Sequence, residues 1–242
     1  MVVVRQLQDR VKVIDDTRSN LIAILRFPEP ELTPALGSAM PHADSSLVPD
    51  SVQTKPEFWK HVHTQLEALL DGQGHWITNL ANASSIIFNA LLAFPKHFGR
   101  EDGRAVNWCG FYLDSALFPA PRIQTNTTTT DTSSRLLLGP FCGKPACQFI
   151  HTAPGKARGV CADAYLTRTT VAVPEVDLYP GHIACDGETK SEIVCPLVLE
   201  HDGTTTVLGV LDLDCLAVGG FNDEDKVGLE KIVKLLVNSC DW

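Results

Sequence analysis

The sequence predicts an α+β sandwich, with helices laid on an antiparallel sheet. Two observations carry this. Apolar residues recur at helical spacing from Pro56 to Phe94 and again from Asp223 to Val237, while the runs between them are short and strand-like. Two of the clearest runs, Ser191 to Leu199 and Thr205 to Leu213, flank His201-Asp202-Gly203, a turn signal that makes them antiparallel neighbours.

The elements follow in chain order. Residues 1–54 read as an N-terminal extension, partly ordered or flexible, with a domain from 55 to 242. Val2 to Leu25 has room for a short helix and a strand. Phe27 to Asp50 then carries five prolines and no period. From Pro56 to Leu70, Phe58, Trp59, Val62, Leu66, Leu69 and Leu70 form one apolar stripe, with Thr54 placed to cap. Asp71-Gly72-Gln73-Gly74 breaks it. A second helix runs from Trp76 to Phe94, and Pro95 ends it. Strands are expected at Ala105–Leu113, Arg135–Phe141 and Thr170–Val173, with a short helix at Gly159–Thr167. The Thr-rich stretch 125–134 and the segment Gly181 to Glu188 read as loops. Asn222 caps the last helix, whose apolar face is Val227, Leu229, Ile232, Val233 and Leu236.

Charge narrows the function. A net charge of −9, with no Lys/Arg cluster, argues against nucleic acid or an anionic membrane as partner. No apolar run reaches the roughly 18 residues of a membrane span, and Met1-Val2-Val3-Val4-Arg5 does not open a secretory signal. Eight cysteines without such a signal suggest free thiols in a reducing, cytoplasmic compartment.

Cys109, Cys195, Cys215 and Cys240 lie in apolar strand or helix patterns and read as core residues. Cys142 is ambiguous. Cys147, Cys161 and Cys185 lie near Gly or Pro in loop-like settings. Cys185 stands out: Gly181 and Gly187 allow close substrate approach, and His182 and Lys190 are near enough in sequence to lower a thiol pKa. The carboxylates form a second signal. In Leu211-Asp212-Leu213-Asp214 the period of two puts both acids on one face, and Glu192 begins the partner strand. Three acids at neighbouring strand ends repel, so one should keep its proton and be able to donate it or to meet a cationic amine. The chain has no CxxC or HxxxH pair, so no metal and no cofactor are expected.

Residues 104–236 resemble the free methionine-R-sulfoxide reductase family, a group of catalytic GAF domains. The resemblance is carried by Asn107-Trp108-Cys109-Gly110-Phe111-Tyr112-Leu113, Leu138-Gly139-Pro140-Phe141, Ala146-Cys147-Gln148, Gly159-Val160-Cys161, Val173-Pro174-Glu175-Val176, the strand Leu208 to Cys215 and, most specifically, Tyr179 to Pro196. It implies a GAF-like central antiparallel sheet of about six strands, with N- and C-terminal helices on one face and ligand loops on the other. It also implies reduction of free L-methionine-R-sulfoxide to L-methionine. Cys185 would be the nucleophile, Cys147 the resolving thiol, and Cys161 an alternative one. Glu192, Asp212 and Asp214 would bind the substrate, with Glu192 donating a proton, and Trp108 and Tyr112 would flank the methyl-sulfur end. A thioredoxin-like dithiol would recycle the disulfide; a homodimer is allowed. The chain departs from the family pattern in its N-terminal extension, its Thr-rich insertion and a longer 151–158 segment. The rival reading is a non-catalytic GAF domain that senses a small molecule or redox state.

Overall fold

The computed structural model describes residues 48–119, 134–183 and 186–242. Most of the N-terminal extension and of the Thr-rich stretch, and Cys185 itself, lie outside the described residues. The described elements are α1 (Lys55–Leu70), α2 (Trp76–Leu92), α3 (Pro95–Phe98), β1 (Val106–Asp114), β2 (Arg135–Gly143), β3 (Phe149–His151), α4 (Val160–Thr167), β4 (Val171–Val173), β5 (Ser191–His201), β6 (Thr204–Cys215) and α5 (Asp223–Ser239).

The strands form one antiparallel sheet in the order β3-β2-β1-β6-β5-β4. The expected α+β fold of about six strands is therefore present. β3 is the addition: three residues at the sheet edge give too short a pattern to stand out in sequence. The second helix ends at Leu92, two residues before the expected Phe94, and Pro95 opens the short α3, because a first helical turn needs no proline N–H.

Caps set the helix starts. Thr54 and Glu57 form a reciprocal capping box on α1, and Asn222 and Asp225 form one on α5. Asp225 does more than cap. Fully buried, it accepts hydrogen bonds from Lys55 Nζ and, at 2.9 Å, from Trp59 Nε1, tying α5 to α1. One core lies between the helices and the sheet and joins Phe58, Leu66, Ile87 and Leu236 to Phe111, Ile193 and Leu213. Val48 and Val52 pack on its edge. A smaller core on the other face joins Trp108, Tyr112, Leu136, Val160, Cys161 and Val194. Alternation along β1, β5 and β6 supplies one face to each core.

The α1–α5 contact depends on a missing side chain. A Cβ on Gly228 would lie inside the van der Waals surface of the Trp59 ring. Alanine has the better helix propensity by roughly 1 kcal/mol, but overpacking a filled contact costs about 1–3 kcal/mol. Gly228→Ala is therefore expected to lower stability, by up to about 2 kcal/mol in a urea melt. An unchanged or raised midpoint would show that α1 and α5 are not close-packed there.

Candidate active site

The register of β1, β6 and β5 builds the site. Glu192 pairs with Asp214, and Val194 with Asp212. On the other side of β6, Trp108 pairs with Asp214 and Gly110 with Asp212. Paired residues share a face, so the three acids and Trp108 all point away from the large core. Glu192, Asp212 and Asp214 are 6%, 6% and 7% exposed. Charged side chains are rarely this buried without cations beside them, so their environment must neutralise them or hold protons on them.

It does both in part. Burial first, then the charges of Glu192 and Asp214, push the Asp212 carboxyl well above its usual range. A hydrogen bond with Glu192 acts in the same direction. Asp214 is pushed up by burial, then by Glu192 and Asp186, with a hydrogen bond from Thr189 opposing. Burial and mutual repulsion thus favour the protonated forms of Asp212 and Asp214. His182 Nε2 stands 3.2 Å from Glu192 Oε2. Asp212 Oδ1 is buried with no hydrogen-bond partner among the described residues.

These acids line a cavity of about 250 Å³, close to the lower bound of ligand pockets at about 300 Å³. Tyr112, Phe149, Ile150, Val160 and Ile183 give it an apolar wall. His151, Lys156 and Arg158 add basic groups, and Cys147 and Cys161 add thiols. A lining that combines acids, cations and an apolar wall suits a zwitterion whose body is apolar.

The thiols differ. Cys161 is buried at the start of α4, with Sγ 3.3 Å from Asp212 Oδ2 and 3.9 Å from Glu192 Oε1. Burial, followed by the charges of Asp212 and Glu192, pushes this thiol well above the usual range. A helix N-terminus would favour a thiolate, but the carboxylates dominate. Cys147 is only half-buried, and its carbonyl accepts a hydrogen bond from the Tyr112 hydroxyl at 3.0 Å.

Cys185 lies outside the described residues, but both its flanks are placed. His182 and Ile183 line the cavity. Asp186 accepts from Asn107 Nδ2 at 3.1 Å and pairs with Lys144 at 3.2 Å, while Lys144 also pairs with Glu188. Lys144 stands three residues before Cys147, and Asp186 directly follows Cys185. The ion pair therefore fastens the segments that carry the two thiols to each other. His182 faces Glu192 and Lys190 pairs with Asp177. Both residues that the sequence sets near Cys185 therefore have carboxylate partners of their own.

Trp108 does not line the cavity. It stacks between Tyr112, at 5.8 Å, and Phe141, at 5.6 Å, and so backs the Tyr112 wall. Gly110 makes that stack fit, since a Cβ there would collide with Phe141 and the Trp108 ring. Cys109, Cys195 and Cys215 are core residues as expected; Cys142 and Cys240 are half-buried. Sequence reasoning missed Lys156 and Arg158 as cavity groups. Their signal was two cations close together in the segment between Cys147 and Cys161.

No family model matches the chain. Individual relatives do. It is 44% identical over 186 residues to the free methionine-R-sulfoxide reductase of Saccharomyces cerevisiae, covering 77% of this chain and 87% of the relative.

The chain belongs to the free methionine-R-sulfoxide reductase family.

A solved GAF domain is 41% identical with TM-score 0.66, covering 83% of this chain and 97% of that one. The free methionine-R-sulfoxide reductase of Neisseria meningitidis, solved with its substrate, is 31% identical with TM-score 0.60, covering 80% and 95%. The family's GAF fold thus frames the carboxylate-lined cavity.

Proposed function

We propose that this chain reduces free L-methionine-R-sulfoxide to L-methionine with thiols as the reductant. The observation that carries the reading is the buried trio Glu192, Asp212 and Asp214 lining a small cavity. A substrate ammonium group placed there gains charge-assisted hydrogen bonds and relieves the repulsion among the acids. A methionine within a peptide has an uncharged amide nitrogen and gains neither. Lys156 and Arg158 supply cations for the α-carboxylate, and Tyr112, backed by Trp108, faces the thioether.

The thiolate of Cys185 attacks the sulfoxide sulfur while a proton from the Glu192–Asp212 pair goes to the sulfoxide oxygen. The oxygen transfers to Cys185, which becomes a sulfenic acid, and methionine leaves. The sulfur of Cys147 then displaces that oxygen as water and closes a disulfide. A thioredoxin-type dithiol reduces the disulfide by exchange, and this chemistry belongs in a reducing, cytoplasmic compartment. Cys147 suits the resolving role better than Cys161, because exchange needs a thiolate and the carboxylates around Cys161 oppose one. A ligand sensor would need no such set of thiols.

Turnover of free L-methionine-R-sulfoxide with thioredoxin tests this. The wild type is expected to turn over continuously. Cys147→Ser is expected to release methionine once per chain and then stall. Continuous thioredoxin-dependent turnover in Cys147→Ser would move the resolving role to Cys161. No methionine from either protein would overturn the reading.

A further inference from the structure

The side chains that await the ammonium group also match the ligand geometry of a metal ion. Cys161 Sγ, one Glu192 oxygen and one Asp212 oxygen lie within 4.8 Å of one another, all on buried residues. In a tetrahedral zinc site, with Zn–S near 2.3 Å and Zn–O near 2.0 Å, sulfur and oxygen stand about 3.5 Å apart. Cys161 Sγ is 3.3 Å from Asp212 Oδ2 and 3.9 Å from Glu192 Oε1, on either side of that spacing. The three ligands come from α4, β5 and β6, so no paired motif announces them in sequence. Asp212 Oδ1 supplies an independent sign. It is buried without a donor among the described residues, on a side chain that lines the cavity. An unmet buried acceptor is destabilising, and a bound cation relieves it.

We propose that Cys161, Glu192 and Asp212 form a Zn²⁺ site that overlaps the ammonium position, so that the ion excludes the substrate and shuts the enzyme. The exclusion clause rests on the reductase reading; the metal site does not. A thiolate with two carboxylates selects a borderline-soft ion over Mg²⁺ or Ca²⁺, which need more oxygen ligands. On binding, Cys161 releases its S–H proton to solvent and no electrons move.

Co²⁺ is the probe, because a thiolate-to-cobalt charge-transfer band in the near ultraviolet reports sulfur ligation. The full-length, reduced, metal-free chain is titrated without oxygen. A single Co²⁺ per chain is expected to give the band, and Zn²⁺ to displace it. Cys161→Ser should abolish the band, while Cys147→Ser and Cys185→Ser keep it. Asp212→Asn should weaken Co²⁺ binding by about 10- to 100-fold or more. Absence of the band in the wild type, its survival in Cys161→Ser, or its loss in Cys147→Ser or Cys185→Ser would overturn the site. Turnover is assayed separately. A chain that binds Co²⁺ but leaves the sulfoxide untouched refutes the reductase and spares the metal site. A working reductase that loses no rate at saturating Zn²⁺ refutes the exclusion.

Discussion

Asp212→Asn is expected to lower kcat/KM for free L-methionine-R-sulfoxide by about 30-fold to several thousand-fold, while making the ligand-free protein more stable. The first effect follows from removing one partner of a buried charge pair, which commonly costs about 2–5 kcal/mol in binding. Asparagine keeps the shape of Asp212 and can still accept from Cys161, so the loss measures charge rather than packing. The second effect has the opposite sign because the folded chain holds Asp212 well above its usual range, through burial and through Glu192 and Asp214. Above the ordinary carboxylate pKa the unfolded chain gives up this proton freely, whereas the folded chain keeps it. Stability therefore falls as pH rises from that value through the raised folded one. Asparagine removes this penalty, each pKa unit of which is worth about 1.4 kcal/mol. Thermal melts should show the advantage of Asp212→Asn growing from pH 5 to pH 8. A variant less stable than wild type at pH 8 would mean that the acids are held by partners, not strained by one another. Such a trade between stability and function is expected where a site waits for a charged ligand.

Cys185→Ser is expected to abolish turnover, by about 10³-fold or more, the scale on which enzymes lose a nucleophile. Serine has nearly the same size, but its hydroxyl stays protonated at neutral pH and cannot pass through a sulfenic acid. The flanks of Cys185 make the expectation specific. His182 and Ile183 line the cavity, and Asp186 is held by Asn107 and Lys144. Binding and chemistry should separate in this variant: free methionine should still protect it in a thermal melt, since the acids that meet the ammonium group are intact. Full turnover in Cys185→Ser would transfer the nucleophile's role to another thiol.

The parts of the site that follow a period were legible in the sequence. Leu211-Asp212-Leu213-Asp214 placed two acids on one face, and the turn at residues 201–203 brought Glu192 alongside, as the β5–β6 register bears out. The helix starts were legible from Thr54 and Asn222, because capping is local chemistry. What was not legible depends on contacts between distant elements. Trp108 backs Tyr112 rather than lining the cavity, which depends on how β1 meets β2 around Gly110. Cys161 reads as a loop thiol in sequence, and only the docking of α4 on β5 and β6 sets it among carboxylates. Lys144 is an isolated surface lysine until the fold carries it to Asp186. The family resemblance supplied the reaction, which no period or spacing contains.

The central claim is that Glu192, Asp212 and Asp214 read the charge on the substrate's amine. The most direct measurement compares kcat/KM of the wild type for free L-methionine-R-sulfoxide and for its N-acetyl derivative, at the same pH and with the same dithiol. Acetylation leaves the sulfoxide intact and removes only the ammonium charge. A preference for the free amino acid of about 30-fold or more is the expected result. Equal values for the two would contradict the account.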